Sequence, residues 1–189
     1  MEILVATTNN HKLKEIRHIL GGIKVMGSAI SVNENGKTFE ENALKKARAA
    51  AKKYKQIALA DDSGLMVDCL NGKPGIKSAR FANPPTAENY CTKLLKVMGN
   101  EKCVMRGAKF VCAIAIVTPN GKSRVVKGIV HGKIAFEMKG KNGFGYDPVF
   151  IPRGFSKTFA EMAASKKNKL SHRYKALQKA KIALKTLEI

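Results

Sequence analysis

A short apolar run that stops at two carboxylates constrains the fold of this chain more than any other feature. Residues 57–60 are Ile-Ala-Leu-Ala, and Asp61-Asp62-Ser63-Gly64 follow at once. This pattern predicts a buried strand that carries an acidic tip at the edge of a sheet. Side chains alternate along a strand, so the two carboxylates should point to opposite faces. They repel each other unless a cation or a basic group lies between them. A metal site for phosphate chemistry and an ordinary turn after a strand both fit the tetrapeptide.

Strand and helix patterns alternate along the rest of the chain. Apolar periodicity predicts strands over residues 2–6, 23–27, 65–70, 110–117 and 123–134, and helices over 13–20, 39–53, 86–98 and 174–187. Thr38 followed by Glu41 is a capping-box pattern, and Asn120-Gly121 is a hairpin signal. A long hairpin beside strand–helix units favours an α/β fold with a mixed sheet over a purely parallel one. The length of 189 residues suits one well-buried core or two lobes that share a sheet.

The charge balance is strongly basic. The chain has 35 Lys and Arg against 14 Asp and Glu, a net charge of +21 that is spread along its whole length. Such a chain attracts phosphorylated metabolites or nucleic acids. Aromatic residues make up only 6% of the sequence, which argues against a surface of repeated base-stacking positions. A nucleic-acid contact is therefore compatible with the charge but is not required by it.

The cysteines and the N-terminus predict a cytoplasmic protein. Cys69, Cys91, Cys103 and Cys112 have no zinc-site spacing to one another or to the four histidines. Their apolar surroundings are typical of reduced thiols. The chain begins with a strand-like segment rather than a signal sequence, and no stretch reaches transmembrane length.

Three further polar stretches are candidate binding sites. Thr7 to Lys12 lies between a strand and a helix, where the free N–H groups of the helix favour an anion. Glycines flank Phe144, so its ring is either open for stacking on a planar base or tucked into the core, while Asp147 can accept base N–H groups. His172 and Arg173 stand at a helix start, where cations oppose the helix dipole and call for a negative or polar partner.

In this order, these stretches resemble the inosine triphosphate pyrophosphatase family of non-standard purine nucleotide pyrophosphatases. The matching stretches are Thr7 to Lys12, Thr38 to Ala47, Ala60 to Leu65, Pro74 to Arg80, Gly143 to Phe150 and Ser171 to Leu177. The resemblance implies a single domain over residues 1–189, with an elongated mixed sheet flanked by helices and two lobes around a central nucleotide-binding cleft. It also implies a homodimer that uses Mg²⁺ to hydrolyse ITP, dITP and XTP to the monophosphate and pyrophosphate.

The resemblance also implies a role for each matching residue. Asp62 is the expected general base, and Asp61 and Glu34 are the expected metal ligands. Substrate binding is expected of Thr7, Asn9, Lys12, Lys46, Ser63, Phe144, Gly145, Tyr146, Asp147, Lys167, His172 and Arg173. Two alternatives remain open: a pyrophosphatase for pyrimidine or other modified nucleotides, and a basic nucleic-acid-binding protein.

Overall fold

A computed structural model describes residues 1–30 and 32–186 and contains one six-stranded sheet within them. The strands are β1 (Glu2–Ala6), β2 (Lys24–Ser28), β3 (Ala58–Val67), β4 (Gly107–Val117), β5 (Ser123–Ile134) and β6 (Phe150–Pro152). The helices are α1 (Asn10–Ile19), α2 (Phe39–Tyr54), α3 (Ala87–Asn100), α4 (Ala164–Leu170) and α5 (His172–Thr186). The strand order is β2-β1-β3-β4-β5-β6. β1 is parallel to β2 and β3, and β5 is antiparallel to β6, so the mixed α/β sheet is confirmed.

The acidic pair lies inside a strand and not at its tip, so that prediction is wrong. β3 continues through Asp61, Asp62, Ser63 and Gly64 to Val67, and it takes in the first half of the separate strand predicted over residues 65–70, whose second half is a 3-10 helix. β3 lies between β1 and β4. Among the described residues, β1 pairs with β3 only at Ala58 and Leu59, and the Asp61 carbonyl accepts from the Lys46 ammonium instead. The extended backbone of the sheet thus overrides the turn preference of these residue types.

The chain divides into two compact units, and each has its own apolar core. The first unit comprises Met1–Asp62, Cys112–Gly128 and the chain from His172 onward. Its core is formed by β1, α1, β4 and α5, with Ile3, Val5, Ile16, Leu20, Leu59, Cys112, Ile114, Ile116, Leu177 and Leu184 among its residues. The α5 side of this core is rich in alanine, and a side chain at Gly128 would lie 2.1 Å from the His172 carbonyl oxygen. A glycine in β5 therefore allows the start of α5 to pack directly against that strand.

The second unit comprises Ser63–Val111 and Ile129–Ser171. Its core is more aromatic and includes Leu65, Val67, Tyr90, Leu94, Met98, Phe110, Ile134, Tyr146, Phe150 and Phe159. The rings of Phe110 and Phe150 lie 4.6 Å apart between centroids, and those of Phe150 and Phe159 lie 5.2 Å apart. The cleft and the single domain that the resemblance implies stay predictions.

Most predicted helices and turns are present, with differences at their ends. The Thr38 hydroxyl accepts the Glu41 N–H group as the capping box predicts, but the Glu41 carboxylate accepts from the N–H group of Lys37. α3 runs through Gly99 to Asn100 instead of stopping at the glycine, and α4 was not predicted. Leu187, predicted to belong to the last helix, lies outside the described residues. No helix within them is long and apolar enough to cross a membrane.

Two of the four cysteines form a disulfide, which contradicts the prediction of reduced thiols. Cys69 follows β3 and Cys103 follows α3, with their Cα atoms 5.9 Å apart. The bond joins positions 34 residues apart in the sequence. The spacing of cysteines in the sequence gives no information about such a pairing. The pairing depends on how close the ends of β3 and α3 lie in space. Cys91 and Cys112 are free and buried.

Candidate active site

Asp61 is the centre of a buried charge network in the first unit. Its Oδ1 atom pairs with the Lys12 ammonium group from α1. Its Oδ2 atom accepts from Arg173 Nε at 3.0 Å and from the Cys112 thiol at 2.9 Å. The Asp61 side chain is fully buried. Burial disfavours its charged form, but Arg173 and Lys12 hold the pKa of Asp61 well below its usual value, so its charged form is favoured.

Lys46 of α2 lies among the other acidic groups of the site. Its ammonium group is 2.9 Å from Glu34 Oε1, 2.9 Å from the Asp61 carbonyl oxygen and 3.5 Å from Asp62 Oδ1. Burial opposes the charge on Lys46, but Asp62 and Glu34 outweigh it and raise the pKa of the lysine. A positive charge therefore lies between the carboxylates of Glu34 and Asp62, as their mutual repulsion requires.

Asp62 differs from its neighbour in both hydrogen bonding and protonation. Its Oδ2 atom is buried and has no hydrogen-bond partner among the described residues. Burial raises the pKa of Asp62, and Lys46 and Lys12 offset only part of that effect. Adjacent residues of one strand thus carry two carboxylates of opposite character. Asp61 is a fixed anion, and Asp62 is a stronger base with an oxygen available to a ligand.

The carboxylates of this site meet the needs of a magnesium ion only in part. Mg²⁺ is usually held by one or two carboxylates together with substrate phosphates and water. Glu34 and Asp62 have the ligand chemistry of this pattern, although the Lys46 ammonium lies between them and competes with a metal ion there. Both oxygens of Asp61 already accept from basic groups. Among the described residues, no group of three or more His, Cys, Asp and Glu is arranged for a metal.

The loop before α1 is shaped by two of the predicted substrate-binding residues. The Asn9 side chain caps the helix by accepting the Lys12 N–H group at 3.1 Å, and the Asn9 N–H group donates to the Thr7 hydroxyl at 3.1 Å. α1 has no acidic residue in its first turn. Its N-terminus therefore combines the positive end of a helix dipole with the ammonium group of Lys12, which favours an anion.

In the second unit, the glycine-rich loop brings Phe144, Asp147 and Lys167 together. Asp147 Oδ2 accepts from the Phe144 N–H group at 2.8 Å and from the Lys167 ammonium at 2.6 Å. The same ammonium lies 4.7 Å from the centre of the Phe144 ring. Phe144 is only half-buried and does not belong to the core, whereas Asp147 and Lys167 are buried. A Cβ atom at Gly143, where φ is +79°, would lie 2.0 Å from Asp147 Oδ2, so this turn needs a glycine.

Tyr146 holds the same loop from the inside. Its ring stacks on Tyr90 of α3 at 5.2 Å, and its hydroxyl donates to the Ser78 carbonyl at 2.9 Å. The Cys91 thiol donates to the Gly145 carbonyl at 3.6 Å, and burial raises the pKa of Cys91 to about 12. Tyr146 and Gly145 were predicted to bind substrate, and their contacts here fix the backbone between Phe144 and Asp147.

Most of the predicted site residues lie in two groups, one in each unit. One predicted residue, Arg173, has contacts that differ from its predicted role. Lys12, Glu34, Lys46, Asp61 and Asp62 belong to the first unit, and Phe144, Asp147 and Lys167 to the second. Arg173 was predicted to line a base pocket, but its guanidinium binds Asp61 and Glu15. His172, with the same predicted role, is buried at the start of α5. Ser63 is half-buried in β3.

Sequence reasoning missed Glu15 and Cys112. One signal was available for Glu15, because Lys12 and Glu15 are three residues apart and share a face of α1. No local signal marks Cys112, which reaches Asp61 from β4, the neighbouring strand.

Comparison with known proteins gives concordant matches over almost the whole chain. The model of the Ham1 family matches residues 3–183. A dITP/XTP pyrophosphatase of Campylobacter jejuni subsp. jejuni is 44% identical over 198 residues, covering 99% of this chain and 98% of the relative. A dITP/XTP pyrophosphatase of Desulforamulus reducens is 45% identical over 199 residues, covering 100% and 98%. The structure of a HAM1 protein from Coxiella burnetii has a TM-score of 0.89 and 39% identity, covering 98% of each chain.

Proposed function

Because this chain belongs to the Ham1 family, we propose that it hydrolyses non-standard purine nucleoside triphosphates to the nucleoside monophosphate and pyrophosphate. The relatives that carry the name dITP/XTP pyrophosphatase match it from end to end. ITP, dITP and XTP are the substrates that this likeness supports. The chain of 189 residues then acts as one catalytic domain.

The observation that carries the catalytic part is the available oxygen of Asp62. This Oδ2 atom is buried and without a partner among the described residues, and burial raises the pKa of its carboxylate. Asp62 therefore accepts a proton from a water molecule as the water oxygen attacks the α-phosphorus. The bond from the α-phosphorus to the bridging oxygen breaks, and pyrophosphate leaves with the electron pair.

The basic groups of the first unit offset the charge that develops on the phosphates. Lys12 stands at the N-terminus of α1, and Lys46 stands between Glu34 and Asp62. Fixed charges of this kind stabilise a transition state without having to reorganise. Glu34 would hold Mg²⁺ together with substrate oxygens, with Asp61 as the predicted second ligand, and Asp62 would keep its Oδ2 atom for the water. When bound, the ion supplies further charge neutralisation at the phosphates.

The Phe144 loop supplies the base recognition in this proposal. The half-buried ring of Phe144 is the proposed stacking surface for the base, and the Lys167 ammonium, paired with Asp147, lies 4.7 Å from the ring centre. An ammonium group donates to the 6-keto oxygen of hypoxanthine or xanthine and opposes the 6-amino group of adenine. A site built to hydrogen-bond one group rejects the wrong base by leaving its own buried polar atoms unpaired.

The experiment is a measurement of pyrophosphate release from ITP, dITP, XTP, GTP, ATP and dTTP, with Mg²⁺ and with EDTA. Metal-dependent release confined to ITP, dITP and XTP is the expected result. Release from dTTP would keep the phosphate chemistry and overturn the assignment of the base. No release from any nucleotide, together with salt-dependent binding to DNA, would favour the nucleic-acid-binding alternative raised by the net charge of +21. The homodimer and the cytoplasmic location stay predictions.

A further inference from the structure

The loop before α2 is attached to that helix residue by residue. We call residues 34–37 the Glu34 loop, and none of these four described residues belongs to a helix or a strand. Each of them contacts one side chain from the first half of α2, and the order along the loop is the reverse of the order along the helix. The pairs are Glu34 with Lys46, Asn35 with Lys45, Gly36 with Asn42, and Lys37 with Glu41.

Asn42 makes the buried contact of this set. Its Oδ1 atom accepts the Gly36 N–H group at 2.8 Å, and both residues are buried, with Asn42 at 0% exposure. A Cβ atom at position 36 would lie 2.6 Å from that Oδ1 atom, so a glycine is what lets the loop backbone come this close to α2. The hydrogen bond between Gly36 and Asn42 therefore anchors the middle of the Glu34 loop.

The amide of Asn42 contributes through its oxygen. Its Nδ2 atom is buried and has no hydrogen-bond partner among the described residues. A buried donor without a partner lowers stability, and an apolar side chain of similar size would avoid that cost. What favours an asparagine at this position is consequently the acceptor that it offers to Gly36.

The anchored backbone leads directly to Glu34. Asn42 and Lys46 lie four residues apart on α2 and share a face of the helix, and the Lys46 ammonium lies 2.9 Å from Glu34 Oε1. The Glu34 side chain is 34% exposed, and a partly exposed ion pair contributes little to holding a loop in place. The position of the Glu34 carboxylate thus depends on the backbone that Asn42 anchors two residues later in the sequence.

We propose that Asn42 is a positioning residue that holds the Glu34 carboxylate in the candidate active site by anchoring the backbone of Gly36. The inference rests on the proposed function in one respect, because it takes Glu34 as a ligand of Mg²⁺. Without the Asn42 acceptor, the buried Gly36 N–H group has lost its partner, which costs more than the loss of an exposed hydrogen bond. The loop then moves outward so that water can reach this N–H group, and Glu34 moves with it.

The first test is amide hydrogen exchange of the wild-type protein, followed by NMR at residues 34–37. The Gly36 N–H group should exchange at least about tenfold more slowly than in an unstructured chain, although it lies outside every helix and strand of the described residues. This measurement needs no nucleotide and no metal. A Gly36 amide that exchanges as fast as in an unstructured chain would overturn the proposal.

Two variants of Asn42 separate its acceptor from its size. Asn42→Leu has a similar volume and no acceptor, so the protection of Gly36 should be lost. Asn42→Asp keeps an acceptor oxygen in either protonation state and removes the unpartnered donor, so the protection should remain. Protection that survives in Asn42→Leu, or that is lost in Asn42→Asp, would refute the role of the Asn42 oxygen. The wild-type protein and Asn42→Asp keep the test decisive if Asn42→Leu does not fold.

The Mg²⁺ dependence of pyrophosphate release tests the consequence for Glu34. In Asn42→Leu, the half-saturating Mg²⁺ concentration should rise about tenfold, and this change should exceed the fall in kcat at saturating Mg²⁺. A general loss of structure would lower kcat at every Mg²⁺ concentration instead. Lys45→Met is the matched control, because it removes the exposed contact of the same helix with Asn35 and should leave the Mg²⁺ dependence nearly unchanged. An unchanged Mg²⁺ dependence in Asn42→Leu would refute the positioning of Glu34.

The two kinds of measurement keep the inference distinct from the proposed function. Suppose that Gly36 is protected in the wild-type protein and unprotected in Asn42→Leu, but the wild-type protein releases no pyrophosphate from any nucleotide. That result would refute the proposed function and support the anchoring by Asn42. Wild-type turnover of ITP together with an unprotected Gly36 amide would refute the inference alone.

Discussion

Removal of the disulfide between Cys69 and Cys103 should lower the free energy of unfolding of the second unit by about 4 kcal/mol. The bond closes a loop of 34 residues, and the chain-entropy relation for a loop of that length gives about 4 kcal/mol at 25 °C. For a chain of this size, the free energy of unfolding falls by about 2 kcal/mol for each M of urea. The urea concentration at the unfolding midpoint should therefore fall by roughly 2 M.

The assay is urea unfolding of the wild-type protein and the Cys69→Ser/Cys103→Ser variant, each with and without a reductant. Near-ultraviolet circular dichroism reports the second unit, because the stacked rings of Tyr90 and Tyr146 lie in its core. The reductant should lower the midpoint of the wild-type protein and leave the double variant unchanged. Activity without urea should persist in the variant, because the thiol and tyrosine contacts to the Phe144 loop do not involve the disulfide.

Two results would refute this reasoning. A wild-type midpoint that is insensitive to the reductant would show that the bond adds nothing to stability. Four reactive thiols in the unfolded, unreduced protein, instead of the two of Cys91 and Cys112, would show that the bond does not form.

Three further predictions concern the active site. Asp62→Asn should lower kcat on the order of 10²- to 10⁴-fold, because the general base is lost, and turnover at the wild-type rate would exclude Asp62 as the base. It should also raise the melting temperature, because burial disfavours the charge that the variant removes. Asp62 must be ionised to act, and its pKa lies above the usual 3.8. On the acid side, kcat/KM should therefore reach half its maximum at a pH above 3.8, and a half-point at or below pH 3.8 would contradict this assignment. Lys167→Met should reduce the preference for ITP over ATP about 10- to 100-fold in kcat/KM. Lys169→Met, an exposed lysine on the same helix, serves as its control, and an equal loss in both variants would remove Lys167 from base recognition.

Acid unfolding gives an independent check on Asp61. Its folded-state pKa lies well below 3.8, so the unfolded chain binds the proton more readily than the folded protein does. The stability contributed by Asp61 is therefore complete above pH 3.8 and is lost as the pH falls from there through the lowered pKa. Asp61→Asn should flatten the pH dependence of the unfolding midpoint in that range, and an unchanged slope would contradict the network.

The local pattern of the sequence was sufficient for much of the fold. Apolar patterns located β1, α1, β2 and α2 to within a few residues. α1 and α2 each bury one face, whereas β1 is buried on both faces and β2 is mostly exposed. The side chain of Thr38 marked the start of α2 by the hydrogen bond that it makes there. The hairpin at residues 118–122 also formed as predicted, with the Gly121 N–H group donating to the Thr118 carbonyl.

The differences arise where partners distant in sequence decide the structure. Asp61 and Asp62 are turn formers by local preference, yet Lys12, Lys46 and Arg173 neutralise them and the sheet keeps their backbone extended. The position of Arg173 at a helix start correctly indicated a negative partner, but local sequence did not show that the partners are Asp61 and Glu15. The individual site roles stay predictions.

The charge balance of the buried ion pair between Glu15 and Arg173 limits how this sequence can diverge. A neutral substitution at Glu15 leaves an excess cation in a buried place, and one at Arg173 leaves an excess anion. Each single step therefore costs stability or function, whereas loss of both charges together restores neutrality. The two positions should consequently change as a pair during evolution, although 158 residues of sequence separate them. A variant library that randomises both codons at once should recover active pairs that no series of single substitutions reaches.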